Sequence, residues 1–111
     1  MTEIATPVVL IDETGYVFVH RSLRAARQAI EAVDVDDGAW TAYGGGGTLL
    51  ALSTYGNLVA IELLAGSVRD AGELESRVRA FIQLVGAEKL GIDSPETATL
   101  PDLLEALAEQ D

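Results

Sequence analysis

The chain has 111 residues, the length of one domain with one core, and its formal net charge of −11 comes from eighteen acidic against seven basic residues. A surface so negative excludes nucleic acid and anionic membranes as favoured partners and leaves cationic ones. Cysteine is absent, which excludes disulfides, thiolate nucleophiles and cysteine-ligated metal centres.

A hydrophobic share of 49% with only 5% aromatic residues implies a packed, largely aliphatic interior. Near the N-terminus Glu3 and a short apolar run ending at Asp12 lack the basic start and length of a secretory signal, so a cytoplasmic location is expected. No apolar window approaches the roughly 20 residues that span a bilayer.

In chain order, Pro7 precedes Val8, Val9, Leu10 and Ile11, a β-branched run that predicts a strand buried on both faces. Asp12, Glu13, Thr14 and Gly15 signal a turn and residues 16–20 return as a second strand, giving a hairpin. Residues 20–35 then carry Leu23, Ala26, Ala29, Ile30 and Val33 on one stripe and Arg21, Arg24, Arg27, Gln28 and Glu31 opposite, the pattern of an amphipathic helix. Ser22 or the residue before it caps that helix, and the acidic run 34–38 ends it.

From Ala39 the period becomes two, with Trp40 and Ala42 on one side and Thr41 and Tyr43 on the other. Four glycines, a strand over 49–53, a turn at Tyr55, Gly56 and Asn57, and a strand over 58–64 complete a three-stranded meander. In that last strand Val59, Ile61 and Leu63 share a face and Glu62 points away, as in a sheet wetted on one side. After Gly66, residues 70–85 space Leu74, Val78, Phe81, Ile82 and Val85 by threes and fours, a second amphipathic helix ended by Gly86 or Gly91. A linker over 91–99 leads to Pro101 at the start of a short helix with Leu103, Leu104 and Leu107.

The expected order is ββαβββαα: a single α+β domain with a mainly antiparallel five-stranded sheet and helices packed on one face. Residues 1–90 form its core, and residues 91–111 supply the linker and a short C-terminal helix packed on the same domain.

Nothing in the chain carries a catalytic pattern. The one histidine, His20, ends a strand with no nucleophile beside it, and no serine sits in a GxSxG setting. Asp34, Asp36, Asp37 and Gly38 suggest calcium, but the loop spacing fails, with Gly38 at its fifth position and Gly45 at its twelfth. Residues 44–47 lack the lysine and the following helix of a phosphate loop and are expected as a flexible hairpin tip. The ridge of Arg21, Arg24 and Arg27 binds an anion, meets the acids of the last helix, or forms exposed pairs such as Arg27 with Glu31. No cofactor or metal is expected.

Residues 17–43 contain a strand ending in a polar run (Val17 to His20), a helix opening with Ser22 and Leu23, the turn Val33, Asp34, Val35, and the strand Trp40, Thr41, Ala42, Tyr43. This succession resembles small acidic actinobacterial proteins of the immunity type. The resemblance covers about the first half of the chain and implies a stoichiometric inhibitor of a toxin encoded beside it. Charge is compatible, because opposite charge speeds association and inhibition by occlusion needs no active site. Acids and aromatic anchors near turns make Asp34, Asp36, Asp37, Trp40, Tyr43 and Tyr55 the candidate partner-binding residues, with Trp40 equally open to a core role. The expectation is a non-catalytic module that binds a cationic protein; the alternative is a homodimeric structural or regulatory domain.

Overall fold

In the computed structural model, which describes residues 4–63 and 69–109, β1 (Val8–Asp12) is the strand that both halves of the interior share. Val8, Val9, Leu10 and Ile11 are all buried, so its two faces are both covered. Each such side chain taken from water contributes about 1.5–3 kcal/mol.

Asp12 closes the turn to β2 (Val17–His20): its Oδ1 accepts from the Thr14 amide at 2.9 Å, the Thr14 hydroxyl at 2.6 Å and the Tyr16 amide at 3.0 Å. Gly15 supplies the positive φ of +92°. Burial works to raise the Asp12 pKa, but the hydrogen bonds to the Thr14 side chain and to the turn amides outweigh it and hold the carboxyl below its ordinary value.

Ser22 caps α1 (Leu23–Ala29) by accepting from the Ala25 amide at 3.1 Å. The single helix expected over 20–35 is broken here, because Ile30 and Glu31 are extended and a separate turn, α2 (Ala32–Asp36), comes after them. The break buries Ile30 and rotates the phase of the next turn. Val35 now packs on the core, whereas Val33, placed on the apolar stripe by periodicity, is 57% exposed.

β3 (Trp40–Tyr43), β4 (Leu49–Tyr55) and β5 (Leu58–Glu62) complete an antiparallel five-stranded sheet in the order β2-β1-β3-β4-β5. The chain is thus an α+β domain, with an element order of ββααβββαα. The residues beyond 63 in the expected last strand, and Gly66, lie outside the described residues.

α3 (Ala71–Val85) is capped by Asp70, whose Oδ1 accepts from the Glu73 amide at 2.9 Å, and it ends at Gly86, where φ is +104°. α4 (Leu100–Ala108) opens on a capping box between Thr99 and Asp102, with Pro101 in its first turn.

The helices occupy both faces of the sheet, which corrects the expectation that they share one. Val8 and Leu10 join Ala26, Ile30, Ala42, Leu50 and Ile61 in one core. Val9 and Ile11 join Val17, Val19, Tyr43 and the buried residues of α3 and α4 in the other. The reason is the alternation of a strand: an apolar run without polar interruption needs cover on both sides.

Candidate partner-binding surface

The second core covers only part of the sheet. In the β4–β5 hairpin, Leu50 and Ile61 face α1, while Leu49, Tyr55, Leu58 and Glu62 project from the opposite side and are exposed. Tyr55 and Leu58 are cross-strand partners flanking Gly56 and Asn57, at 67% and 71% exposure. Gly56 has a φ of +62° and Asn57, like every other non-glycine residue described, does not have a positive φ, the pattern of a type II′ turn.

Beside this hairpin lies α2. Asp36 and Asp37 are exposed and Asp34 is half-buried. Asp36 is tied to the hairpin, its Oδ1 accepting from the Thr54 hydroxyl at 2.8 Å. Carboxylates at the carbonyl end of a helix face like-signed partial charge, a placement that does not favour folding.

The six residues expected to form one site are divided by the fold. Asp34, Asp36 and Asp37 sit together, and the Asp36–Thr54 bond joins them to the strand that ends in Tyr55. Trp40 is half-buried and turns toward Phe18, with ring centroids 5.7 Å apart in an edge-on arrangement. Phe18 stacks in turn near Tyr16 and Tyr16 on Phe81, so four rings link the rims of the two cores. Tyr43 is 4% exposed, its ring inside the core under α3. Its hydroxyl donates to Glu73 Oε1 at 3.4 Å. Burial pushes the phenol's pKa up; the Arg77 charge opposes this, and the charge and hydrogen bond of Glu73 reinforce it.

Sequence reasoning passes over Leu58 and Val33 as surface residues. Leu58 is within its reach, because alternation puts it on the same face as Glu62. Val33 is not, since its exposure results from the break at Ile30.

His20 is buried at the end of β2, opposite Val8. Arg21 of the basic ridge reaches α4, its Nη1 donating to Glu105 Oε1 at 2.9 Å across an exposed surface. Among the described residues no three acidic or histidine side chains are grouped to hold a metal ion. No helix among them is long and apolar enough to cross a membrane.

The glycine-rich turn, expected as a flexible tip, is packed into the body of the domain. The Gly45 amide donates to the Ala5 carbonyl at 2.9 Å and the Asp70 amide to the Gly47 carbonyl at 3.0 Å. Arg69 Nε donates to the Gly46 carbonyl at 3.1 Å. A Cβ on Gly47 would stand 2.5 Å from the Ala71 Cα, so the absence of a side chain is what lets α3 start there. Asp70 and Glu73 in that first turn make it unwelcoming to phosphate.

A cavity of about 530 Å³ opens between α3 and the segment before α4. Its one guanidinium, Arg79, already donates to Glu75 Oε2 at 2.9 Å, the Pro95 carbonyl at 2.7 Å and the Ala98 carbonyl at 2.8 Å. That side chain fastens the connection and is not poised for a ligand.

Comparison with protein families, curated proteins and solved structures finds no match to this chain. The hairpin and α2 therefore carry the functional reading through their own chemistry.

Proposed function

We propose that this chain is a non-catalytic binding module, an immunity-type inhibitor that neutralises a basic toxin in the cytoplasm by covering its active surface, like the actinobacterial proteins its first half resembles. The observation that carries the reading is that one hairpin presents both kinds of contact: the exposed carboxylates of Asp36 and Asp37 are tied to one of its faces through the Asp36–Thr54 bond, and exposed Tyr55 and Leu58 stand at its tip on the other. Carboxylates steer a cationic partner and raise its association rate, and a tyrosine beside an apolar residue supplies contact area at small entropic cost.

The test is co-expression with the protein encoded beside its gene, scored by survival and by a one-to-one complex whose association rate falls steeply as salt rises. Asp36→Asn with Asp37→Asn lowers the association rate, whereas Tyr55→Ala with Leu58→Ala raises the dissociation rate. Absence of both protection and a complex overturns the reading.

A further inference from the structure

The two faces of the sheet are roofed to different extents. On the side of α1 and α2, Leu50 and Ile61 are buried and Leu52, Val59 and Leu63 pack against the same core, so both strands of the β4–β5 hairpin are covered there. On the other side, the core beneath α3 and α4 takes Val17 and Val19 of β2, Val9 and Ile11 of β1 and Tyr43 of β3, and among the described residues nothing from β4 or β5. Past Tyr43 that face carries three cross-strand pairs, Ala51 with Glu62, Ser53 with Ala60 and Tyr55 with Leu58, and Leu49 at the start of β4. Leu49, Tyr55 and Leu58 are 42%, 67% and 71% exposed, and Glu62 is the one charged residue on this floor.

Its dimensions choose the occupant. From Leu49 to Tyr55 the floor runs ~24 Å and its two strands span ~10 Å, the outline of one α-helix of about sixteen residues. An outline of about 240 Å² is well below the ~800 Å² that each partner gives up in a standard interface, so a second copy paired through this floor alone falls short. A helix that is one element of a larger partner has no such shortfall, because the rest of that partner meets the hairpin tip and α2.

Charge sets how such a helix lies. Residues 31–63 contain five carboxylates and no lysine or arginine, so the β5 margin, marked by Glu62, favours basic side chains. The α3 margin is mixed, with Glu73 Oε1 3.9 Å from Arg77 Nε.

We infer that the open floor of the β4–β5 hairpin seats one amphipathic α-helix of the partner, with its apolar stripe on Leu49, Ala51, Ala60, Tyr55 and Leu58 and its basic side chains toward Glu62. This rests on the cationic partner proposed above and adds which kind of element docks. The α2 acids, on the opposite face of the hairpin, steer the approach, and the floor holds the helix in the complex.

The experiment titrates the full chain with a peptide of about sixteen residues of leucine and lysine whose leucines recur every three and four positions. A peptide of the same composition in strict alternation is the comparison. The amide resonances of Ala51, Ser53 and Ala60 should move, and the helical peptide should bind at least about tenfold more tightly than the alternating one. Ala60→Lys sets a like charge in the middle of the floor and should weaken the helical peptide about tenfold, with Ala60→Ser within about twofold of the parent. The fold of Ala60→Lys is checked by circular dichroism, and the resonance map of the unmodified chain stands without it. Binding that moves only the α2 resonances, or equal binding of the two peptides, overturns the helix inference while the cationic-partner reading stands. Failure of the helical peptide to bind at about 1 mM overturns it too, whether or not the neighbouring toxin is neutralised. A helical peptide seated on the floor without any protection from the toxin overturns the toxin reading and leaves the docking floor in place. A dimer of the chain in sedimentation that Ala60→Lys dissolves overturns the choice of occupant.

Discussion

The Thr54 hydroxyl donates to the Asp36 carboxylate at 2.8 Å across eighteen residues of sequence, fastening an acidic helical turn to the strand that carries Tyr55. Thr54→Val, which removes the donor and keeps the shape, is expected to lower stability in urea by about 0.5–1 kcal/mol, the low end for a solvent-accessible bond. Asp36→Asn retains an acceptor, so stability should hold while association with a cationic partner slows. That split separates the role of the residue in the fold from its role in steering.

Arg79 is the fastening between α3 and the approach to α4, because one planar guanidinium meets a carboxylate and two carbonyls at once. Arg79→Ala should cost about 1–3 kcal/mol in chemical denaturation. Amide exchange over residues 94–99 should quicken, and Arg79→Lys should restore little, since an ammonium cannot reach both carbonyls with the same geometry.

Glycine substitutions sort the turns by what each one needs. At Gly47 both a φ of +93° and a 2.5 Å approach to Ala71 oppose a side chain, so Gly47→Ala should lower stability by more than about 2 kcal/mol. Gly56 meets nothing within 4 Å and carries only its φ of +62°, so Gly56→Ala should cost about 1–2 kcal/mol. Gly46→Ala, at ordinary van der Waals distance from Arg69, should be close to neutral. Thermal unfolding of the three variants reads the ranking directly.

Tyr43 introduces a pH dependence at the alkaline end. Its folded-state pKa is raised, so the neutral phenol stabilises the fold fully below the ordinary tyrosine value of about 10, and that contribution is lost as pH rises beyond it. Ultraviolet titration should show a late-ionising phenol that Tyr43→Phe removes. The same variant should flatten the fall of stability above about pH 10.

Much of this architecture is legible in the sequence because the decisive signals are local. The alternation in residues 58–63, the three-and-four spacing of Leu74, Val78, Phe81 and Ile82, and the Asp12 to Gly15 turn each name their own structure. What sequence alone misses depends on distant partners. Ile30 leaves the helix because a core made of Val8, Leu10 and Ile61 can bury it. The four glycines look like a loose tip until Ala5 and Ala71 are seen against them. Tyr43, near a turn and aromatic, looks like an anchor, and only α3 reveals that the ring is interior.

The double cover of β1 also has a temporal meaning during synthesis. Every described residue of the core that includes Leu10 lies between residues 4 and 63, so that half can close while the rest of the chain is still being made. Val9, Ile11, Val17 and Val19 must wait for Leu74 through Ala108. Until then a nascent chain presents a greasy, unshielded sheet surface, and α4, with its own capping box, is the piece whose arrival ends that exposure.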